Sequence, residues 1–374
     1  MKPRDHVVEI SAGALARFDE LIDTRSPAEF GDDHIPGAIS CPVLDNEERA
    51  RVGTIYKQVS PFDAKKLGAA LVARNIARHI EILFIGKPKT WKPLVYCWRG
   101  GKRSGAMAHV LREIGWDART LEGGYKAYRR FVVDSLSALP LKFRFKVIHG
   151  ATGSGKSRLL RALHKAGAQM LDLEDLAAHR GSVLGNLPAR PQPSQKGFES
   201  LLLRALQNLS PAKPVYVEGE SRKIGQLQIP EALIARMRAS DCVLLQAGMQ
   251  TRAALLLEEY RHFFADPAAL GAQLDCLAGL HGRERVEEWK SLATAGKWPQ
   301  LVDRLLLEHY DPAYQRSASH NFPRLADARV YRLATPGDAA FAQLAGELVE
   351  GAGAKAGEDV AAVGRVEVPE RLAQ

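Results

Sequence analysis

A cysteine in the first third of this 374-residue chain enters a loop that is rich in glycine and positive charge. The apolar run 94–96 predicts a short strand that delivers Cys97 to the loop, and a helical pattern begins at Ser104 and continues through Leu111. Backbone N–H groups and the helix dipole at such a junction favour negative charge. Three cations follow within six residues of the sulfur: Arg99, Lys102 and Arg103. We predict a nucleophilic thiolate facing an oxyanion; the alternative is a buried structural thiol followed by a basic turn.

A second anion site is predicted where an apolar strand at 142–149 runs into a complete P-loop motif at 150–157. Backbone amides of such a loop close around phosphate oxygens, its lysine reaches the outer phosphate, and its serine hydroxyl can coordinate Mg²⁺. The residues predicted to bind phosphate are Gly150, Gly153, Gly155, Lys156 and Ser157. The motif leaves open whether the ligand is a nucleotide or another diphosphate.

Acidic residues end two of the strands predicted beside the P-loop. Asp172 lies within the apolar run 170–173, and Glu218 and Glu220 follow the run 215–217. P-loop proteins hold a metal-linked carboxylate at this position, so all three residues are candidate acids. Structural, hydrogen-bonded carboxylates are an equal alternative, and no metal ligand is assigned with certainty.

The pattern along the chain predicts an α/β protein with two domains. The first domain is predicted at 8–138 and the P-loop domain at 141–350. A helical insertion is predicted within the second domain at about 251–320, and residues 351–374 are expected to form a poorly ordered tail. These parts must position the cysteine loop, the P-loop and the acids.

Within these domains, apolar spacing predicts long helices at 62–85 and 284–307. A glycine- and proline-rich stretch at 179–195 is too long for an ordinary connection. We therefore expect this stretch to be functional.

Composition restricts the class of protein and of partner. The hydrophobic content of 46% and charged content of 25% are ordinary for a globular protein. The net charge of +9 favours a polyanionic partner such as nucleic acid. The four cysteines are far apart, which fits a reducing cytoplasm, and no secretory signal or membrane-spanning run is recognised. We expect a cytoplasmic protein without a membrane partner.

Three stretches resemble rhodanese motifs and occur in the same order as in that family: 21–30, 34–39 and 121–125. The first domain is therefore similar to a rhodanese domain. Its cysteine loop is one residue longer than the usual rhodanese loop, and the spacing from Cys97 to Arg103 is that of cysteine phosphatases. The longer loop suggests that the bound group is bulkier than a single sulfur atom.

A rhodanese-like domain fused to a P-loop domain resembles the bacterial tRNA 2-selenouridine synthase family, over about residues 8–335. Further stretches are similar to that family: 52–61, 179–182, 192–196, 217–225 and 310–314. The resemblance implies an N-terminal rhodanese-like domain and a C-terminal P-loop NTPase-like domain with a parallel sheet and a helical excursion.

The same resemblance implies a function. The substrate would be tRNA with 2-thiouridine at the wobble position, and selenium from selenophosphate would replace the sulfur after S-geranylation by geranyl diphosphate. Cys97 would carry selenium as an S-selanyl adduct, and the P-loop would bind the diphosphate. An apolar cavity would then lie beside Lys156, closed by residues 180–195. Selenophosphate and geranyl diphosphate would be substrates, no cofactor would be tightly bound, Mg²⁺ would be optional, and a selenophosphate-producing enzyme would be a candidate partner.

Other classes remain open from the residues alone. The chain could be a phosphatase-like or rhodanese-like sulfurtransferase coupled to a P-loop kinase, which ATP turnover without a prenyl diphosphate would favour. A pure RNA-binding module is the least favoured class, because it would leave two catalytic-type anion sites without a role.

Overall fold

The computed structural model describes residues 6–11, 13–187 and 190–354, without the side chains of residues 317–320 and 352–354. The chain forms two α/β units, each built on a five-stranded parallel sheet.

The first sheet has the strand order β1-β5-β4-β2-β3, with all neighbours parallel. Its central strand β4 is buried along its whole length, as expected for a continuous apolar run, and ends one residue before Cys97. The strands are β1 Val7–Val8, β2 Glu20–Asp23, β3 Ile39–Ser40, β4 Pro93–Tyr96 and β5 Arg119–Leu121. The helices are α1 Pro27–Asp32, α2 Asn46–Gln58, α3 Pro61–His79, α4 Lys102–Ile114 and α5 Gly124–Ala138.

The second sheet has the order β12-β11-β6-β8-β7 and is also parallel. Its central strand β6 leads directly into the P-loop. The strands are β6 Phe145–His149, β7 Gln169–Leu171, β8 Val215–Glu218, β9 Lys223–Ile224, β10 Leu227–Gln228, β11 Asp241–Ala247 and β12 Arg329–Leu333, of which β9 and β10 form a separate antiparallel hairpin. The first helices are α6 Lys156–Lys165, α7 Leu173–Ala177, α8 Gln195–Gln207 and α9 Glu231–Arg238.

Between β11 and β12 the chain forms a helical layer with its own apolar core around the fully buried Trp289. The helices of this layer are α10 Met249–Glu259, α11 His262–Ala265, α12 Pro267–Leu274, α13 Ala278–His281, α14 Arg283–Thr294, α15 Trp298–Leu305 and α16 Asp311–Asn321. The last described helix is α17 Asp338–Ala354. Among the described helices, none has both the length and the apolar character needed to span a bilayer.

The structure changes several predicted boundaries. Helix α4 begins at Lys102, two residues before Ser104, because Gly101 is its N-cap residue. The helix predicted at 62–85 is α3 followed by a π-helical turn at Ile80–Phe84. The helix predicted at 284–307 is two helices, α14 and α15, because Gly296 adopts a positive φ of 68° between them.

The predicted tail is partly helical. Residues 351–354 continue α17, so this helix extends four residues into the predicted tail. Residues 355–374, which make up the rest of the predicted tail, lie outside the described residues.

Helix α5 joins the two units through a shared apolar core. It packs against α8 and α9 of the second unit. Tyr128 and Val132 of α5 belong to the same buried cluster as Phe198 of α8 and Leu233 of α9. An ion pair between Arg129 and Glu199 accompanies this contact. The two sheets are therefore connected by packed side chains as well as by the turn Leu139–Lys142.

Candidate active sites

Cys97 lies at the carboxyl end of β4 and faces the beginning of α4. Its thiol is buried, with the residue 4% exposed. The sulfur accepts hydrogen bonds from the backbone N–H of Gly101 and from the hydroxyl of Ser104, both at 3.2 Å. The strand-to-helix junction that the sequence predicts therefore encloses the sulfur with hydrogen-bond donors.

These donors favour the thiolate form. Burial alone would raise the pKa of Cys97, because it removes water from the charged sulfur. The Ser104 hydroxyl and the backbone N–H groups of Ser104, Gly101 and Arg99 outweigh burial, and the pKa of Cys97 is lowered from its ordinary value. In contrast, burial raises the pKa of Cys41 to about 12 and that of Cys242 to about 11. Among the buried cysteines, Cys97 alone has an environment suited to a nucleophile.

The cations of the loop differ in whether they form ion pairs. Arg103 forms an ion pair with Glu29 at 2.9 Å, and this contact helps to lower the pKa of Glu29 to about 2 against the opposing effect of burial. Glu29 also contacts Arg49 of α2 at 3.2 Å. Arg99 and Lys102 are exposed, and neither forms an ion pair within the described part of the chain. Arg103 is therefore fixed by the scaffold, whereas Arg99 and Lys102 can meet an incoming anion.

The stretch 121–125 packs directly against the backbone of the cysteine loop. The backbone N–H of Tyr125 donates to the carbonyl of Cys97 at 2.8 Å. Gly124 has a positive φ of 58°, and a Cβ atom at this position would overlap the carbonyl oxygen of Cys97 and the backbone nitrogen of Gly100. Glycine is required here because the loop lies directly on the beginning of α5.

The P-loop connects β6 to α6 and has the backbone that its motif predicts. Gly153 and Gly155 have positive φ values of 79° and 87°. The Lys156 ammonium donates to the carbonyl of Gly150 at 3.1 Å, and the Ser157 hydroxyl donates to Glu174 at 3.1 Å. The five predicted phosphate-binding residues therefore lie together around one loop.

Two buried carboxylates and one half-buried carboxylate line the same cavity as this loop. Ligand oxygens of Glu174, Glu218 and Glu220 all lie within 4.8 Å of one another. Burial, and to a lesser extent the neighbouring carboxylates, raises the pKa of all three above the ordinary range, although Lys156 acts in the opposite direction. One oxygen of Glu218, Oε1, has no hydrogen-bond partner among the described residues. This oxygen-rich cluster is suited to a divalent cation.

Asp172 lines the same cavity as Glu218 and Glu220 but lies outside the cluster that these two residues form with Glu174. Its carboxylate accepts from the backbone N–H of Asp175 at 2.8 Å and so caps α7. Glu174, in the first turn of α7, joins Glu218 and Glu220 instead. Glu174 could have been considered from the sequence, because parallel strands end at the same sheet edge and a first-turn acid follows β7 there.

Residues 179–183 and 187 of the stretch 179–195 line the P-loop cavity, and neighbouring elements hold the stretch in place. Arg180 donates to the carbonyl of Glu259 at 2.7 Å and lies 5.0 Å from the ring centroid of Tyr260. The Gln192 amide donates to the carbonyls of Ala177 and Ile224 at 3.2 and 3.0 Å. These contacts connect the stretch to α10 and to the β9–β10 hairpin.

Sequence reasoning missed the pair that supports the P-loop from the helical layer. Arg252 of α10 donates to the P-loop carbonyl of Thr152 at 2.8 Å and to Asp311 of α16 at 3.0 Å. Asp311 lies within the stretch 310–314 that resembles the family. No spacing within the chain reveals this pair, because its two members are 59 residues apart.

Two cavities adjoin each other at the P-loop. The larger has a volume of about 620 Å³ and is lined by P-loop residues, the carboxylate cluster and the stretch 179–183. The smaller, of about 50 Å³, is lined mainly by apolar side chains of the helical layer and by Leu184. Residues common to both linings are Thr152, Leu256, Tyr260 and Tyr310. The P-loop cavity and an apolar cavity thus share part of their walls.

A rhodanese-like thiolate site fused to a P-loop unit defines a class of two-domain enzymes with two anion sites. Residues 9–131 match the family model for a rhodanese-like domain, and residues 143–274 match the model for the tRNA 2-selenouridine synthase AAA domain. The chain belongs to the tRNA 2-selenouridine synthase family. This membership confirms the resemblance and the predicted fold class.

Individual relatives agree with the family models. A tRNA 2-selenouridine synthase from Marinobacter nauticus is 34% identical over 331 residues, which cover 79% of this chain and 87% of the relative. One from Shewanella halifaxensis is 32% identical over 324 residues, with coverage of 79% and 87%. Among solved structures, a thiosulfate sulfurtransferase from Pseudomonas aeruginosa matches 58% of this chain and 44% of that chain, with 15% identity and a TM-score of 0.21.

Proposed function

We propose that this enzyme replaces the sulfur of wobble 2-thiouridine in tRNA with selenium from selenophosphate, through an S-geranylated intermediate. The observation that carries the proposal is the presence in one chain of a thiolate loop and of a P-loop cavity that shares its wall with an apolar cavity. Family membership supports the overall reaction, and the net charge of +9 suits an RNA substrate. In this proposal the enzyme works in the cytoplasm, where a selenophosphate-producing enzyme supplies its donor.

The P-loop would carry out geranylation. The thiocarbonyl sulfur of the base attacks C1 of geranyl diphosphate, the C1–O bond breaks, and diphosphate leaves with the bonding electron pair. Backbone amides of residues 150–157 and the Lys156 ammonium would stabilise the charge that develops on the leaving oxygen. The thiocarbonyl sulfur is a poor leaving group until it is alkylated, so this step prepares the next one.

The apolar cavity would hold the isoprenoid chain. Its lining includes Phe263, Leu270 and Leu305, and it shares Tyr260 and Tyr310 with the lining of the P-loop cavity. At about 50 Å³ it is narrow, so a ten-carbon chain must displace some of the lining side chains. Leu184, from the stretch expected to close the site, already contributes to this lining.

The carboxylate cluster would bind Mg²⁺ together with the diphosphate. Glu174, Glu218 and Glu220 offer hard oxygen ligands, and Ser157 lies beside them, hydrogen-bonded to Glu174. Bound Mg²⁺ would supply positive charge to the diphosphate oxygens. We propose a cation that enters with substrate and is not a tightly bound cofactor.

Cys97 would carry out selenation. The exposed cations Arg99 and Lys102 would attract anionic selenophosphate towards the buried sulfur. Loading of Cys97 would break the P–Se bond with release of phosphate and form the S–Se bond of an S-selanyl group, with two electrons passed to a disulfide oxidant. The outer selenium would then attack C2 of the base, and the geranylated sulfur would leave as a thiolate with the electrons of the C2–S bond. A thiol reductant would cleave the S–Se bond, which restores Cys97 and leaves selenium on C2. Arg103 would keep the loop in place through Glu29.

The two half-reactions test this division. Cys97→Ser should abolish selenium incorporation into pre-geranylated tRNA and leave tRNA affinity nearly unchanged, since a serine hydroxyl is not ionised near pH 7. Lys156→Ala should block geranylation of 2-thiouridine tRNA and have much less effect on selenation of pre-geranylated tRNA. Mass spectrometry of tRNA nucleosides measures both products, and Cys276→Ser, which changes an exposed cysteine, is the matched control.

Three outcomes would contradict the proposal. Normal 2-selenouridine yield from Cys97→Ser would remove the thiolate from the mechanism. Equal loss of both steps in Lys156→Ala would show that the two sites do not divide the reaction. Tight binding and hydrolysis of ATP that geranyl diphosphate does not prevent would assign the P-loop to a nucleotide.

A further inference from the structure

Trp98 directly follows Cys97 and is exposed, unlike the other tryptophans of this protein. Its side chain is 39% exposed, whereas Trp91, Trp116 and Trp289 are buried and Trp298 is half-buried. All five tryptophans of the chain lie in the described part. Exposure of a large aromatic ring beside a nucleophile leaves apolar surface uncovered where substrate arrives.

The ring is held on a rigid support. It lies against Tyr125, with ring centroids 5.3 Å apart and planes inclined by 32°. Tyr125 is fixed by a hydrogen bond from its hydroxyl to Asp33 at 2.7 Å and by the guanidinium of Arg25, 3.9 Å from its ring centroid. The carbonyl of Trp98 accepts from the backbone N–H of Lys126 at 3.0 Å. The exposed ring is therefore positioned by its neighbours.

Three exposed cations lie in or against the loop that carries Trp98: Arg99 and Lys102 follow it in the chain, and the backbone N–H of Lys126 donates to its carbonyl. Arg99, Lys102 and Lys126 are all exposed, and within residues 6–11, 13–187 and 190–354 no carboxylate forms an ion pair with any of them. A supported aromatic ring among unpaired cations is the arrangement by which proteins bind an unstacked nucleotide. The ring stacks on the base, and the cations bind the flanking phosphates.

We infer that Trp98 is the stacking platform for the target base and presents that base to Cys97. The inference rests on the proposed tRNA substrate and specifies how its wobble base is held. Bases of an anticodon loop are single-stranded, so one base can be turned outward onto the ring without opening a duplex. Burial of the Cys97 sulfur makes such a platform necessary, since the base must be brought to the sulfur in a defined orientation.

The experiment compares two RNAs. One is an anticodon stem-loop with geranylated 2-thiouridine at the wobble position, and the other has an abasic site there. The wild-type protein should bind the first RNA about 5- to 150-fold more tightly than the second, because stacking of one base on an aromatic ring contributes an affinity of this order. Trp98→Ala should reduce this ratio to near one, and Trp98→Phe should retain most of it.

Two controls isolate the stacking role. Phe62→Ala removes a more exposed aromatic ring, 68% exposed and located on α3, and should leave the base-dependent ratio unchanged. The pH profile of Cys97 alkylation in Trp98→Ala should match the wild type, which shows that the loop is folded. In addition, binding of the base-containing RNA should quench tryptophan fluorescence in the wild type and much less in Trp98→Phe.

The outcomes separate this inference from the proposed function. If the wild type binds neither RNA, the proposed tRNA substrate fails and the inference fails with it. If the wild type binds RNA but Trp98→Ala weakens both RNAs by the same factor, or changes neither, the stacking role is overturned and the proposed function stands.

Discussion

Removal of the Ser104 hydroxyl should raise the pKa of the Cys97 thiol, because this hydroxyl donates to the sulfur and favours the thiolate. Ser104 is fully buried, and its Oγ lies 3.2 Å from the sulfur. A hydrogen bond to a charged group contributes about 1.5–3 kcal/mol, and one pKa unit corresponds to about 1.4 kcal/mol. In Ser104→Ala the backbone N–H of Gly101 still donates to the sulfur, so the pKa should rise without a change in the fold of the loop.

The assay is the rate of alkylation by iodoacetamide as a function of pH. It should be carried out in a Cys276→Ser background, because Cys276 is exposed while Cys41 and Cys242 are buried with raised pKa values. Only the thiolate reacts, so the rate below the pKa changes tenfold per pH unit. Ser104→Ala should therefore react about 10- to 100-fold more slowly than the parent at low pH, and the two rates should converge at high pH.

The sign of the shift is the decisive result. A lowered thiol pKa means that the folded state favours the thiolate. The resulting stabilisation of the folded state is fully present above the pKa of the thiol in the unfolded chain, and it is lost as the pH falls through the pKa of the thiol in the folded protein. Ser104→Ala should reduce this contribution at high pH only. An unchanged alkylation profile would refute the assignment of Ser104 as the principal donor, and a lower pKa in the variant would refute the electrostatic reasoning itself.

Three further predictions concern the loop support, the apolar cavity and the RNA surface. Gly124→Ala should lower the free energy of unfolding in urea by at least about 1–2 kcal/mol, because it places a side chain on left-handed backbone against the Cys97 loop. The control Gly105→Ala should be neutral or stabilising, because its Cβ meets no atom within 4 Å. Val302→Phe should narrow the apolar cavity and shift allylic diphosphate preference from ten carbons towards five, measured as the ratio of kcat/KM values; an unchanged ratio would exclude this cavity as the chain site. Affinity for tRNA should fall about a thousandfold between 50 and 200 mM salt if six or more phosphates are contacted, and a flat response would make the net charge incidental.

Local sequence patterns predicted the elements that carry the candidate residues. The apolar run before Cys97 and the one before the P-loop are β4 and β6, and each is the central strand of its sheet. These predictions succeed because a buried parallel strand, a glycine turn and a helix start are specified within about fifteen residues. The order of the motifs along the chain then indicated the family.

Contacts between distant segments could not be predicted in this way. Glu29 binds Arg103 across 74 residues, and Arg252 reaches Thr152 across 100 residues. Asp172 and Glu174 both follow β7, and only the folded chain shows that the first caps α7 while the second faces the P-loop. Such roles depend on packing and on the direction of each side chain, which residue spacing does not specify.

The core around α5 determines which component of the reaction moves. A hinge between the two sheets would have to pull Tyr128 and Val132 away from Phe198 and Leu233, at about 25 cal/mol for each Å² of apolar surface exposed. The shared core therefore opposes such a hinge, and under the proposed function the transfer of the wobble base from Lys156 to Cys97 would involve movement of the anticodon arm relative to the protein. Turnover should accordingly depend on how fast RNA dissociates and rebinds, and geranylated tRNA should accumulate in solution when selenophosphate is scarce.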